Sequence, residues 1–396
     1  MKKQTESFLH ILKDARFNQK TSITLEPNDF YFLYKLAHIH DLTGMVYNQI
    51  YHLDNFPDDL KKQWGSEAKK LNVFQIIKTQ RFLQVYREFL KADLKVYVVK
   101  GLVCRNIYPM PDNRPSNDED LYIERKDADA VTAIFENAGF QLLDKGEDEI
   151  KFLDYKSGLT IELHLALFSK SSQAYGFYQV AFDHAFETYA THMIEGVQVY
   201  SLSHDQHFLF LVLHFAKHFL HGGVGIRQLM DIIMYIEAFK EEINWDYIFK
   251  QLDKADLVTF FLNTLEIAHV YLDFDYDNIN LCNYKRIKNE YQELLDDIME
   301  SGIFGQTTQE RIHSSTITLN AMESGKVNVL KSVFPPLEDM KGKFPYLNEK
   351  PYLLPVAQAT RILNYMKHHD NKQNKKTVEL GNKRVELLKK YKILNK

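Results

Sequence analysis

A chain of 396 residues with 45% hydrophobic and 13% aromatic content can bury a large core and divide into two or three structural units, which excludes a disordered protein. Its 49 basic and 53 acidic residues leave a formal charge of −4, which does not suit a protein that coats long nucleic acid and favours a small-molecule or protein partner. The two cysteines, Cys104 and Cys282, have no C-x-x-C partner; this excludes a disulfide framework, fits a reducing compartment, and leaves both as buried apolar residues.

No apolar stretch follows Met1 to Glu6, and no run approaches the length that spans a bilayer. The expectation is a soluble, cytoplasmic protein without a membrane partner. Residues 1–93 form a first, helical region: Phe32, Leu33, Leu36 and Ala37 recur at helical spacing, as do Phe82, Val85, Phe89 and Leu90. The texture changes in a second unit, 94–203, where Lys95 to Val99 reads as a strand, Gly101 stops it, and Leu102 to Tyr108 reads as a helix. Pro109, Pro111 and Pro115 forbid its continuation. Glu119 to Glu124 is a second strand, Asp127 to Asn137 a helix, and the stretches near Gln141 to Asp144, Glu149 to Tyr155 and Leu159 to Leu165 are further strands. The fold class is α+β, with a small mixed sheet between helical regions.

From 204 to 334 the pattern is helical again, opened by Ser203 and Gln206 at capping-box spacing and interrupted at Gly222-Gly223. Residues 335–396 begin with an extended strap, since Pro335 to Pro355 carries five of the ten prolines. A helix from Val356 to Lys367 follows, then a lysine-rich tail with Val385, Leu388 and Leu394 at helical spacing, the pattern of a solvated helix.

The chemistry concentrates in Asn117-Asp118-Glu119-Asp120-Leu121-Tyr122-Ile123. In a strand, Asp118 and Asp120 point to one side. The segment Leu159 to Leu165 alternates strictly, with Thr160, Glu162 and His164 on one face, so Glu162 can join the pair. Carboxylates gathered this way repel, and hard divalent cations are the usual remedy; without metal the cluster should cost stability. Mg²⁺ or Mn²⁺ suits such oxygen donors, and two ions would serve in-line phosphoryl transfer. The competing reading of Asp118 and Asp120 is a polar turn after Pro115.

Lys100-Gly101 through Tyr108-Pro109, then Arg114-Pro115 and Asp118-x-Asp120-Leu121, resembles a bacterial family of uncharacterised nucleotidyltransferases within the polymerase-β-like superfamily. Glu162-Leu163-His164, His214 to His218 and Arg227-x-x-x-Asp231 are similar to its later landmarks. The resemblance implies an enzyme that moves a nucleoside monophosphate from an NTP to a hydroxyl or phosphate of a small molecule or protein. It implies Asp118 and Asp120 as ligands of both metal ions, and Glu162 as a ligand of the catalytic one that also helps deprotonate the acceptor. Lys100, Gly101, Arg114 and Ser116 are the candidates for holding the nucleotide. Gly101 would let the backbone approach the triphosphate. Lys100 would touch the triphosphate or merely end its strand, and Arg114 would orient phosphate or lie on the surface.

Two positions depart from the pattern. Leu102 replaces a second small residue, and Glu119 places a charge on the core side of its strand unless the strand begins at Asp120. Both features would suit a non-catalytic descendant that binds nucleotide or a partner protein. His207, His214, His218 and His221 share one helical stripe. No Glu follows His214 as in H-E-x-x-H, so a hydrogen-bonded wall facing the carboxylates is expected over a zinc site. His204-Asp205 invites a metal-phosphohydrolase reading, but Asp205 is explained as a first-turn acid. Arg227 and Asp231 are expected to form an i, i+4 ion pair.

Overall fold

Helical periodicity in the N-terminal segment becomes α1 (Lys3–Arg16), α2 (Pro27–Ile39), α3 (Thr43–Ile50) and α4 (Asp58–Lys91) in the computed structural model, which describes residues 3–302, 344–368 and 371–394 with isolated positions between 311 and 340. α1 opens the helical region and buries Phe8, Leu9, Ile11 and Leu12. Pro27 suits the first helical position of α2, where the Glu26 amide donates to Asp29 at 3.0 Å.

The strands are β1 (Tyr97–Val99), β2 (Asp118–Tyr122), β3 (Gln141–Lys145), β4 (Glu149–Asp154), β5 (Leu159–His164), β6 (Tyr189–Ile194) and β7 (Val197–Leu202), in one sheet of order β3-β4-β5-β2-β1-β7-β6. The sheet is mixed: β2 runs parallel to β5 and β1 parallel to β7, while the other neighbours are antiparallel. Between the strands lie α5 (Gly101–Asn106), a 3₁₀ turn at Pro111–Asn113 and α6 (Ala128–Asn137). The protein is therefore α+β, as its periodicities predict. The β6–β7 hairpin was not expected; Glu195 and Gly196 both take positive φ, 46° and 76°, as a two-residue hairpin turn requires.

One sheet face is apolar and carries α4 and α6: Phe152 of β4 stacks on Phe135, which meets Phe89 edge to face. The other face carries the polar positions of β2, β4 and β5 and lies under α7 (His204–His221). Beyond it come α8 (Ile226–Phe239), α9 (Trp245–Lys254), α10 (Val258–Leu272) and α11 (Gln292–Ser301), then α12 (Leu354–His368) and α13 (Asn371–Lys390). Ser203 is the N-cap of α7, but its hydroxyl meets the Gln206 amide oxygen at 3.4 Å and caps no backbone group, so the capping box does not form. Helical patterns toward Val333 and the start of the proline strap lie mostly outside the described residues. Among the described residues no helix is long and apolar enough to cross a membrane.

Glu119 shows how tightly the sheet is fitted to the segment before it. β2 begins at Asp118, so Glu119 points away from the polar face and is fully buried. Its carboxylate accepts the Leu102 amide at 2.7 Å and pairs with the buried Arg105 at 3.2 Å, satisfying the first turn of α5. A Cβ on Gly101 would lie 2.0 Å from the Glu119 carboxylate. Gly101→Ala should therefore lose about 2 kcal/mol of unfolding free energy in urea denaturation, as overpacking a rigid site does. A loss below about 0.5 kcal/mol, the scale of an ordinary surface change, would show that Glu119 does not occupy this space.

Candidate active site

β2 and β5 pair in parallel with Asp120 opposite Glu162 and Asp118 opposite Thr160. Because side chains alternate, this register turns Asp118, Asp120, Glu162 and His164 to the same face. They form the floor of a cavity of roughly 190 Å³, also lined by Lys100, Glu149, Leu167 and Phe210. The β4–β5 register adds Glu149 opposite His164 and Lys151 opposite Glu162. The polar turn expected as an alternative for Asp118 and Asp120 is not what forms, since both lie within β2.

The carboxylates are not left to repel. Asp120 is buried, with Oδ2 3.2 Å from the Lys100 ammonium and Oδ1 3.1 Å from His164 Nε2. Burial alone would favour its neutral form, but Lys100 and His164 outweigh burial and hold this carboxyl below the usual carboxylate range. Glu162 shifts the other way: burial raises its pKa, and neighbouring Asp120 adds to the effect despite the Lys151 ammonium 2.6 Å from Oε1. Asp120, Glu162 and His164 offer ligand atoms that all lie within 4.8 Å of one another. Two carboxylates and an imidazole at that spacing could hold a divalent cation, and the carboxylates, with Asp118 beside them, suit a hard one.

The roof is α7. His214, Lys217 and His218 face the floor across the cavity. His214 and His218 contact each other through their Nε2 atoms at 3.2 Å, and burial, then the Lys100 charge, depresses the pKa of both far below the ordinary histidine value. Burial also depresses the pKa of Lys217, which makes no salt bridge among the described residues, while the charges of Asp120 and Glu149 act against that shift. His207 lies deeper, accepting the Lys100 amide on Nε2 at 2.9 Å. His221 packs against Tyr175. His204 meets the Tyr235 hydroxyl and Asp205 accepts the Asn244 amide, so this pair forms no metal site with the cavity residues.

Of the candidates for holding nucleotide, only Lys100 lines the cavity. Arg114 is buried beneath it, neither on the surface nor facing the cavity, in a two-pronged pair with Asp231 at 2.9 and 2.6 Å. Tyr108 donates to the same carboxylate at 2.8 Å. The expected Arg227–Asp231 pair is therefore corrected: Asp231 belongs to Arg114, while Arg227 binds Asp41 and the Pro115 carbonyl at 2.8 Å. Tertiary partners outcompete the i, i+4 neighbour because their guanidinium geometry is better matched in a buried setting. Ser116 turns its hydroxyl to the Asp118 carbonyl at 2.6 Å, and its amide donates to Gln75 of α4 at 2.8 Å. Gly101 is required first by Glu119. Sequence reasoning missed Glu149 and Lys151, although Glu149-x-Lys151 alternates with buried Ile150 and Phe152, and it gave Lys217 no role beyond its place in the His214 to His218 landmark.

These features can be set beside known proteins. No curated protein matches the chain. Among solved structures, an antigenic nucleotidyltransferase-like protein from Paracoccidioides brasiliensis is 16% identical, covering 50% of this chain and 93% of that one at a TM-score of 0.33, a likeness too slight to carry an argument. Residues 26–273 match the family described as uncharacterised nucleotidyltransferase, a span that includes α2 to α10 and every residue of the cavity. The chain belongs to that nucleotidyltransferase family.

Proposed function

We propose that the protein transfers a nucleoside monophosphate from an NTP to a hydroxyl or phosphate of a small molecule or a protein side chain, with Asp118, Asp120 and Glu162 holding Mg²⁺ or Mn²⁺. The observation that carries this reading is the register pairing of Asp120 with Glu162 on the cavity floor, with Asp118 on the same face. Polymerase-β-like chemistry uses such an arrangement. Bound there, divalent cations would make the acceptor oxygen more nucleophilic and neutralise the departing pyrophosphate.

The chain's own groups complete the chemistry. The acceptor oxygen attacks the α-phosphorus as the bond to pyrophosphate breaks, and the acceptor proton passes to Glu162. Lys151 holds Oε1 of Glu162 at 2.6 Å and so fixes the carboxylate where it faces both the cation and the acceptor. Lys100 and Lys217 supply positive charge to the phosphates from the floor and the roof. The cavity is small beside ligand pockets of about 300–1,000 Å³, so it accommodates reacting phosphates and leaves base and ribose outside. Leu102 and Glu119, the two sequence arguments for a non-catalytic descendant, do not line the cavity; Leu102 is buried and Glu119 is the partner of Arg105.

Incubation with each labelled NTP, Mn²⁺ or Mg²⁺ and a host metabolite extract should yield a labelled acceptor. Asp120→Asn and Glu162→Gln should each reduce that labelling by at least about a hundredfold. Labelling retained in both variants would remove the carboxylates from the reaction.

Stability should respond differently from the simple repulsion argument. In metal-free protein Asp120→Asn strands the Lys100 ammonium in a mostly buried position, so the variant should unfold with about 3 kcal/mol less free energy than the parent. A metal-free Asp120→Asn protein that melts at or above the parent's temperature would mean that Lys100 does not neutralise Asp120 in solution.

A further inference from the structure

Lys100 is held in an unusual way. Its φ of 69° and ψ of −109° lie where L side chains rarely settle, and no glycine occupies the position. Its amide donates to Nε2 of His207, which reaches down from α7. His207 is fully buried with its ring 5.0 Å from that of Tyr235. Because Nε2 accepts, the ring proton sits on Nδ1, which has no hydrogen-bond partner among the described residues. A buried imidazole thus pins the backbone of Lys100 and leaves only its side chain free to swing.

That side chain ends on the oxygen a cation would need. Asp120 Oδ2 pairs with the Lys100 ammonium and Oδ1 with His164, so a metal ion at Oδ2 meets the ammonium as a competing cation. The ammonium's natural destination is another anion at the same cavity. The Leu102 amide in the first turn of α5 is occupied by Glu119, and Lys100 lines the cavity with a positive charge that a phosphate can take.

We propose that Lys100 is an exchangeable counter-ion, positioned by His207, that neutralises Asp120 before a divalent cation binds and passes to the incoming triphosphate when it does. Metal and nucleotide then bind as a pair: metal alone must compete with the ammonium for Asp120, and the triphosphate relieves that competition. This rests on the nucleotidyltransferase reading, but its metal half can be tested without nucleotide.

The test uses the full chain, with folding of each variant checked by circular dichroism. Binding of Mn²⁺ alone is followed by paramagnetic resonance of the free ion, and binding of each NTP in saturating Mn²⁺ by calorimetry. Lys100→Met should bind Mn²⁺ about tenfold more tightly, because a like charge is gone from the ligand, and should bind nucleotide more weakly. His207→Leu should shift both affinities in the same directions, and His207→Gln, which keeps an acceptor at similar reach, should behave as the parent. A merely structural His207 would lower the melting temperature without tightening Mn²⁺ binding. Unchanged or weaker Mn²⁺ binding in Lys100→Met, with nucleotide still bound by the parent, overturns the counter-ion and leaves the enzymatic reading standing. Tighter Mn²⁺ binding with no NTP bound by the parent overturns the hand-over together with the nucleotidyltransferase reading.

Discussion

Asp120 and Glu162 come together because β2 and β5 pair in parallel in one fixed register, and a slip of one residue would put the two side chains on opposite faces. The register is enforced from the apolar side. Leu121, Ile161 and Leu163 are fully buried, as is Phe152 on the neighbouring strand. Moving them to the cavity face would expose them at about 1.5–3 kcal/mol each. The acidic floor is thus placed by hydrophobic packing on the reverse of the same strands. Its electrostatic cost is met locally by Lys100, Lys151 and His164.

Below the floor lies a second tier of charge with another role. Arg105 with Glu119 ties α5 to β2, and Arg114 with Asp231 and the half-buried pair Arg227 with Asp41 join segments far apart in sequence. Such buried pairs add little net stability over apolar packing, yet breaking one strands a charge and is expensive. They suit a structure that must hold the segment between β1 and β2 in one place. Asn72, Gln75 and Lys78 of α4 grip that segment at Asn113 and Ser116. Asp118 therefore starts its strand from a fixed point.

Much of this was legible in the sequence, for a physical reason: periodicity reports which face of an element is buried. Leu159 to His164 alternates, so Glu162 could be placed beside Asp118 and Asp120 before any fold was known. β6 was missed because it is a largely exposed edge strand whose outward face carries Tyr189 and Met193, leaving no polar alternation to read. Arg114 and Asp231 were misassigned because their partners are more than a hundred residues away, and local spacing is silent about such distances. Lys217 lay within the His214 to His218 landmark without a role for the same reason, since its meaning comes from the carboxylates across the cavity.

Floor and roof of the cavity answer to different constraints. Floor residues are locked by strand register, where a change of position is all or nothing. The roof is one helix face, in which His214, Lys217 and His218 recur by helical spacing and Phe210 sits a turn earlier. A substitution there alters the shape and charge presented to whatever enters, and leaves the carboxylates where they are. Exchanging side chains along α7 would therefore reshape what meets the carboxylates without disturbing the strand register that places them.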